Sequence, residues 1–226
     1  MREIILDTET TGFDPAQGDR IVEIGCVEAL SHIATGETFH VYVNPERDMP
    51  ESAFNVHGLS EEFLSDKPVF AEVAENFLSF IGDAPLVIHN AEFDMKFLNS
   101  ELKKIGRPIL ARDRAIDTVT MARRKFPGAQ ANLDALCRRF DIDLSRRDKH
   151  GALLDAELLA EVYLQLCGGL QPGLELIGNE KTSDNPVLVQ RQARAPRAHA
   201  PSPEELAAHA ALVETLKEPV WGSEDS

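Results

Sequence analysis

The stretch LDTETTG, Leu6 to Gly12, places two acids at the end of a run of apolar residues. The run itself, EIILD from Glu3 to Asp7, is nearly all apolar and predicts a central strand covered on both faces. Because side chains alternate along a strand, Asp7 and Glu9 project from the same face. Two like charges at close range raise each other's pKa unless a cation compensates them. Hard carboxylate oxygens are suitable ligands for Mg2+ or Mn2+, so the pair is a candidate metal site. An exposed pair of acids at a strand end, without a metal, would have the same sequence pattern.

The composition limits how the chain can bind a polyanion. It has 226 residues, 43% of them hydrophobic, which is enough for one sizeable domain with a buried core. The formal net charge of -15 argues against a protein that grips nucleic acid through a broad basic surface. An acidic chain can still act on nucleic acid if metal ions screen the phosphates or if a partner delivers the substrate.

The cysteines and the N-terminus predict a cytoplasmic protein without a membrane span. Cys26, Cys137 and Cys167 are scattered, odd in number and form no Cys-x-x-Cys pair, so we expect reduced thiols rather than disulfides or a zinc site. The N-terminal residues MREIILDTE lack the pattern of a signal peptide. No apolar stretch reaches the roughly 20 residues that a membrane span requires.

The order of the predicted elements indicates an α/β domain. Alternating residues predict strands over Arg20–Ala29 and Thr38–Asn44, and ATGE, residues 34–37, predicts the turn that joins them in an antiparallel meander. Helix and strand patterns then alternate. They comprise helices over Val69–Gly82, Ala91–Gly106, Thr118–Lys125, Asn132–Phe140 and Gly151–Cys167, and strands over 85–90 and 115–117. This order predicts a mixed β-sheet flanked by helices over residues 1–169.

The amino-acid composition of the chain changes after Gly169. Residues 185–203 hold four prolines and three arginines but no acid, which is typical of a flexible linker. We therefore divide the chain into a domain of residues 1–169, a linker of 170–202 and a tail of 203–226. The tail predicts a short amphipathic helix capped by Ser202, with Glu205 at the capping-box spacing. A lone helix has no core of its own, so we expect it to dock on a partner, with folding back onto its own domain as the alternative.

Two further clusters carry acids at helix starts. In HNAEFD, residues 89–94, Asp94 falls in the first turn of a predicted helix, where the helix dipole favours an anion. In KHGALLDA, residues 149–156, His150 lies just outside a predicted helix and Asp155 just inside it. Each cluster alone is also typical of an ordinary helix N-terminus. Together and in this order, LDTETTG, HNAEFD and HGALLDA resemble the three motifs of the DEDDh family of 3′–5′ exonucleases, which share the ribonuclease-H-like fold.

The resemblance implies a two-metal nuclease site. It assigns two divalent ions, Mg2+ or Mn2+, to Asp7, Glu9, Asp94 and Asp155, with Asp7 bridging both ions. Glu9 and Asp155 would hold the ion that bears the attacking water, and His150 would be the general base. The related family pattern, Tyr-x3-Asp, would need a tyrosine four residues before Asp155, where this chain has glycine.

The same resemblance suggests which side chains contact the 3′ end of a DNA strand. The candidates flank the acids or lie in the loop Val56–Gly58, and they are Thr8, Thr10, Gly12, His57 and Phe93. The two aromatic rings could stack on the terminal base, as rings do with single strands. For Phe93 a place in the core is almost as good an interpretation. We expect Asp117, which matches a recurring Asp-Thr of the family, to give structural support.

The C-terminal portion resembles that of the proofreading subunits of bacterial replicative DNA polymerases. In those proteins a short motif after the nuclease domain binds the sliding clamp, and the tail docks on the polymerase (alpha) subunit. The segment QPGLEL, residues 171–176, fits this motif, so we expect Gln171, Leu174 and Leu176 to contact the clamp, with a plain linker as the alternative. The apolar residues of the tail that would contact the polymerase are Leu206, Leu212, Val213, Leu216 and Trp221. The resemblance leaves open whether a small third subunit binds the nuclease domain.

Tethering of this kind would also account for the negative charge. A subunit held on a DNA-bound polymerase and clamp meets the primer end at high effective concentration, so it needs little DNA affinity of its own. Two alternatives stay open. One is a stand-alone exonuclease that acts on single-stranded DNA or RNA, and the other is a scaffold that links clamp and polymerase without catalysis.

Overall fold

The first part of the chain folds around a five-stranded mixed sheet. The computed structural model describes residues 1–145, 149–169 and 200–215. The strands are β1 (Arg2–Thr10), β2 (Ile21–Leu30), β3 (Ile33–Tyr42), β4 (Leu86–Ile88) and β5 (Ala115–Asp117), in the order β3-β2-β1-β4-β5. β1 pairs antiparallel with β2 and parallel with β4, β2 pairs antiparallel with β3, and β4 pairs parallel with β5. The predicted fold class is thereby confirmed.

Helices flank this sheet and continue into the tail. They are α1 (Glu51–His57), α2 (Glu61–Ser65), α3 (Phe70–Ile81), α4 (Ala91–Lys104), α5 (Thr118–Lys125), α6 (Leu133–Arg139), α7 (Ala152–Leu166) and α8 (Pro203–Thr215). Within the residues that the structure describes, none of these helices has the length and apolar character needed to cross a membrane.

β1 is buried on both faces, as its apolar sequence predicts. Ile4 and Leu6 point into the core formed with α3 and α4, whereas Ile5 points into the core formed with α7, and all three side chains are fully buried. At roughly 25 cal/mol per Å2 of apolar surface, each contributes on the order of 2 kcal/mol of burial free energy. The register of the strand is therefore fixed, and Asp7 and Glu9 lie together near its carboxyl end.

The turn between β2 and β3 lies elsewhere than the sequence predicts. Ser31 and His32 form it, with φ values of 51° and 71°, and residues 34–37 belong to β3. The ATGE segment is a bulge, because Val27 pairs with Thr38 while Ala29 already pairs with Ala34. The left-handed His32 is supported by a distant contact, since its backbone N–H donates to the buried Glu3 carboxylate at 3.0 Å.

The segment Val56–Gly58 was expected to form a loop, and this expectation is wrong. Val56 and His57 belong to α1, and Gly58 caps this helix with φ 75°, a left-handed value that glycine adopts without strain. α2 follows directly, with the Ser60 hydroxyl accepting a hydrogen bond from the Phe63 N–H at 3.1 Å. His57 therefore lies at the end of a helix and not in a loop.

The tail helix α8 begins as the sequence predicts. The Glu205 N–H donates to Ser202 Oγ at 3.2 Å and the Ser202 N–H donates to a Glu205 carboxylate oxygen at 2.8 Å, which completes the capping box. Leu206 and Leu212 are exposed, and Val213 is half-buried. Leu216 and Trp221 lie outside the described residues, as do the clamp-motif residues Gln171, Leu174 and Leu176.

Candidate active site

The topology brings the four acids named above to one edge of the sheet. β1 and β4 run parallel, so their carboxyl ends meet at that edge, where ligands of open α/β sheets bind. β1 supplies Asp7 and Glu9, the first turn of α4 supplies Asp94, and the first turn of α7 supplies Asp155. Oxygens of Glu9 and Asp155 and a ring nitrogen of His150 lie within 4.8 Å of one another, a spacing that one metal ion can bridge.

Burial governs the charge state of two of these acids, Asp7 and Asp94. Burial raises the pKa of Asp7 well above its ordinary value, and the charges of Asp94, Glu9 and Asp155 raise it further. Burial likewise raises the pKa of Asp94 to about 7, even though the Thr8 hydroxyl donates a 2.6 Å hydrogen bond to its carboxylate. A cluster that offers hard carboxylate oxygens, two of them from groups with raised pKa values, fits divalent cations, which would favour the ionised form of the acids.

His150 reaches the acids from outside the helix that carries Asp155. Gly151 precedes α7 in an extended conformation, so the imidazole of His150 turns back over the first turn. Its Nδ1 lies 3.1 Å from Asp155 Oδ2, and its side chain is 49% exposed. The His150 N–H also donates to the Val56 carbonyl at 3.3 Å, which links this segment to α1. An imidazole that is both held and open to solvent can accept a proton from a water molecule.

A glycine in β2 allows α7 to approach the acids, and the sequence analysis missed it. Gly25 pairs directly with Asp7 across the β1–β2 ladder. A Cβ at Gly25 would lie 2.3 Å from the Ala152 carbonyl carbon and 2.3 Å from the Leu153 nitrogen, so any side chain there would collide with the helix backbone. The signal was a lone glycine inside an alternating strand, which often marks a close approach of another backbone.

A small cavity beside Glu9 gathers the predicted substrate residues. It has a volume of about 130 Å3 and is lined by Thr8, Glu9, Thr10, Gly12, Phe13, Ser52, Ala53, Val56, His57 and Phe93. We refer to it as the nucleoside pocket. All five residues that the resemblance suggested for substrate contact therefore line one cavity. The sequence analysis missed Ser52 and Ala53 in its wall and Phe13, which is 84% exposed.

His57 lines the nucleoside pocket with one ring nitrogen buried, and Phe93 both lines the pocket and packs in the core. The Leu59 N–H donates to His57 Nδ1 at 3.0 Å, so in the neutral ring the proton resides on Nε2. That Nε2 is buried without a hydrogen-bond partner among the described residues, and burial lowers the pKa of the ring. Phe93 lines the pocket while packing 4.9 Å from the ring of Phe97, so it belongs partly to the core.

Asp117 supports the junction that carries Asp94. Its Oδ1 accepts the N–H of Asn90 at 3.1 Å and of Val119 at 3.0 Å, and its Oδ2 accepts the Thr120 hydroxyl at 2.6 Å. Burial opposes its charge, but these hydrogen bonds prevail and lower the pKa of Asp117. Asn90 has φ 69°, a left-handed conformation that starts α4 abruptly. One carboxylate thus holds the starts of both α4 and α5.

Comparisons with known proteins agree with this geometry. A family model described as exonuclease matches residues 4–163. The DNA polymerase III subunit epsilon of Rickettsia felis is 50% identical over 222 residues, which cover 96% of this chain and 97% of that protein. The subunit of the same name from Escherichia coli K12 is 43% identical over 227 residues, which cover 96% of this chain and 93% of that protein.

Solved structures show the same fold. The nuclease domain of 3′hExo, a DEDDh family member bound to rAMP, has a TM-score of 0.64 and 20% identity, covering 74% of this chain and 91% of that one. Exonuclease X in complex with 5′ overhanging duplex DNA has a TM-score of 0.57 and 25% identity, covering 72% and 89%. The chain is a metal-dependent, proofreading 3′–5′ exonuclease and belongs to the exonuclease family, among the DNA polymerase III epsilon subunits.

Proposed function

We propose that the chain removes mispaired 3′-terminal nucleotides from DNA as a subunit of the DNA polymerase III core. The observation that carries this proposal is the convergence of five side chains beside the nucleoside pocket, namely Asp7, Glu9, Asp94, Asp155 and His150. The epsilon subunits that resemble the chain over 96% of its length support the assignment to the polymerase core.

The acids would hold two divalent ions, Mg2+ or Mn2+, in distinct roles. Such a pair supplies charge that stabilises both the attacking and the leaving oxygen of a phosphodiester. Asp7 is suited to bridge the ions, because the charges of the other three acids all act on it. Glu9 and Asp155 would hold the ion that activates the attacking water, and Asp94, whose carboxylate accepts a hydrogen bond from the Thr8 hydroxyl, would help to hold the other.

His150 is the general base in this proposal. It takes a proton from the attacking water, because imidazole is the side chain whose ordinary pKa allows proton exchange near neutral pH. The 3.1 Å contact to Asp155 orients its ring toward the acids. Thr8, Thr10 and His57 line the pocket that would hold the terminal nucleotide.

The test is excision of a mispaired 3′ end. With DNA carrying a fluorescent 3′-terminal mismatch, we expect stepwise release of nucleoside 5′-monophosphates in the presence of Mg2+ or Mn2+ and none with excess chelator. Mispaired ends should be cleaved faster than paired ones, since a frayed end reaches the site more readily. Retained activity without metal would contradict the metal assignment. No release from any DNA, together with binding to clamp and polymerase, would favour the scaffold alternative.

We further propose that residues beyond the nuclease domain attach the chain to its partners. The clamp would bind Gln171, Leu174 and Leu176. The polymerase (alpha) subunit would bind the tail through Leu206, Leu212, Val213, Leu216 and Trp221. The exposed apolar side chains of Leu206 and Leu212 on α8 support a docking role, since an isolated helix of this length gains little stability alone.

Two variants should distinguish binding to the clamp from binding to the polymerase. Gln171→Ala combined with Leu174→Ala is expected to weaken clamp binding at least about tenfold while polymerase binding persists, because each removes an anchor side chain. A chain truncated after Gly169 should lose both partners. Affinities from titration of purified subunits, with nuclease activity as the check on folding, provide the measurement. Undiminished polymerase binding by the truncated chain would contradict attachment through the tail, whereas a full-length chain that binds neither partner would favour the stand-alone alternative.

A further inference from the structure

A second cavity adjoins the acids on the side away from the nucleoside pocket. It has a volume of about 370 Å3 and is lined by Asp7, His89, Asn132, Leu133, Asp134, Arg138, His150 and Asp155. We refer to it as the α6 cleft, because α6 and its capping residue Asn132 form one wall. The acids on β1 and α7 form the other wall. The acid cluster therefore lies between a small pocket and a larger, open cleft.

This arrangement gives the substrate strand a direction. If a 3′-terminal nucleoside occupies the nucleoside pocket beside Glu9, its 5′-phosphate, which is the scissile one, lies at the acids. The remaining strand must then leave on the opposite side, where Asp7, Asp155 and His150 line the α6 cleft. Its next backbone phosphates would pass along the wall formed by α6.

Arg138 is placed to meet those phosphates. Of the described residues that line the α6 cleft, it alone has an arginine or lysine side chain, and that side chain is 70% exposed. The carboxylate of Asp134, one helical turn earlier, lies 3.8 Å from the Arg138 guanidinium. An exposed pair of this kind contributes less than about 1 kcal/mol, so Arg138 can exchange it for a phosphate at little cost.

We propose that Arg138 binds a backbone phosphate of the substrate strand on the 5′ side of the scissile bond. This inference rests on the proposed nuclease function and assigns it a subsite for the strand that remains after cleavage. In a chain of net charge -15, with four acids at the centre, a local cation offsets the repulsion that a polyanion would meet there. The contact concerns the backbone, so it carries no base preference.

Two substrates distinguish phosphate binding at this subsite from the chemical step at the acids. A single-stranded oligonucleotide has phosphates on the 5′ side of the scissile bond, whereas the p-nitrophenyl ester of thymidine 5′-monophosphate has none. The informative quantity is the ratio of kcat/KM for the oligonucleotide to kcat/KM for the ester. A purely structural defect lowers both rate constants and leaves their ratio unchanged.

The control variant is Arg124→Ala. Arg124 is an exposed arginine on α5 that does not line either cavity, so its removal changes the net charge equally. The neighbouring Arg139 is less suitable, because its guanidinium lies 4.5 Å from the ring centroid of Phe126 and its loss would disturb packing. Arg138→Lys keeps the charge without the planar fork, and Arg138→Glu reverses the charge.

We expect Arg138→Ala to lower the ratio about fivefold or more at 0.1 M salt and Arg138→Glu to lower it further, with Arg138→Lys between wild type and alanine. The slope of log kcat/KM for the oligonucleotide against log salt should become shallower by about 0.7, as for the loss of one phosphate contact. Arg124→Ala should change neither quantity. If the wild type cleaves both substrates and the Arg138 variants keep its ratio and its salt slope, the subsite is wrong while the nuclease assignment stands. If the wild type cleaves neither, the proposed function itself is overturned and the subsite with it.

Discussion

Replacing Asp7 with asparagine is expected to lower the exonuclease rate at least about 10³-fold, which corresponds to about 4 kcal/mol of activation free energy. The physical reason is its position, because Asp7 lies among the other three acids and its charge is needed to hold both ions. Asparagine keeps the size of the side chain but supplies no negative charge. Excision of a mispaired 3′ end under saturating metal measures the effect.

The same substitution should raise the melting temperature of the metal-free protein at pH 8. The folded-state pKa values of Asp7 and Asp94 lie above the ordinary carboxyl value near 4, that of Asp94 at about 7. Between about pH 4 and pH 7 the folded chain therefore binds more protons than the unfolded chain, so these groups contribute stability that is lost as the pH rises. Asp7→Asn removes a charge that is unfavourable in the fold.

Thermal unfolding with chelator or with Mg2+ provides the measurement. In the wild type, added metal should raise the melting temperature more at pH 8 than at pH 6, and the variant should show a smaller increase at both. Asp113→Asn, at an exposed acid outside the site, should leave activity and the metal response unchanged. Loss of activity together with a lowered melting temperature of metal-free Asp7→Asn would indicate that the carboxylate has a structural role instead.

The long elements of the fold could be predicted because their signals are local. The apolar run of β1, the helical spacing of α3 and the strand-to-helix junctions lie within windows of about a dozen residues. β5 and α5 have the predicted bounds, and α6 and α7 begin one residue later than predicted. Only the conjunction of three motifs, however, indicated that their acids would meet.

The elements that were missed depend on weak or distant signals. α1 has seven residues, buries only Ala53 and His57, and starts at Pro50 without a side-chain cap, so its pattern is too short to recognise. The cap of α2 at Ser60 was a usable signal. The turn at Ser31 and His32 lacks the usual glycine and relies on the buried Glu3, which is close only in the folded chain.

Gly25→Ala is expected to lower the exonuclease rate about 100-fold or more and to destabilise the fold by about 1–3 kcal/mol. The added Cβ would meet the backbone of α7 at 2.3 Å, and backbone cannot rotate away as a side chain would. The helix must shift, and it carries Asp155 in its first turn with His150 just before it. Since Gly25 pairs with Asp7, the shift separates Asp155 and His150 from the acids of β1.

Gly151→Ala is the matched control for this substitution. Gly151 precedes α7, has an extended φ of -156° and would have no atom within 4 Å of an added Cβ, so the substitution should affect neither packing nor the acids. Metal affinity from titration calorimetry, kcat from excision and the melting temperature should be measured for both variants. A shift of α7 predicts that Gly25→Ala weakens metal binding as well as kcat, because the acids that share an ion no longer converge. Full metal affinity and kcat in Gly25→Ala would show that α7 can be displaced without consequence, and that the glycine does not set the geometry of the site.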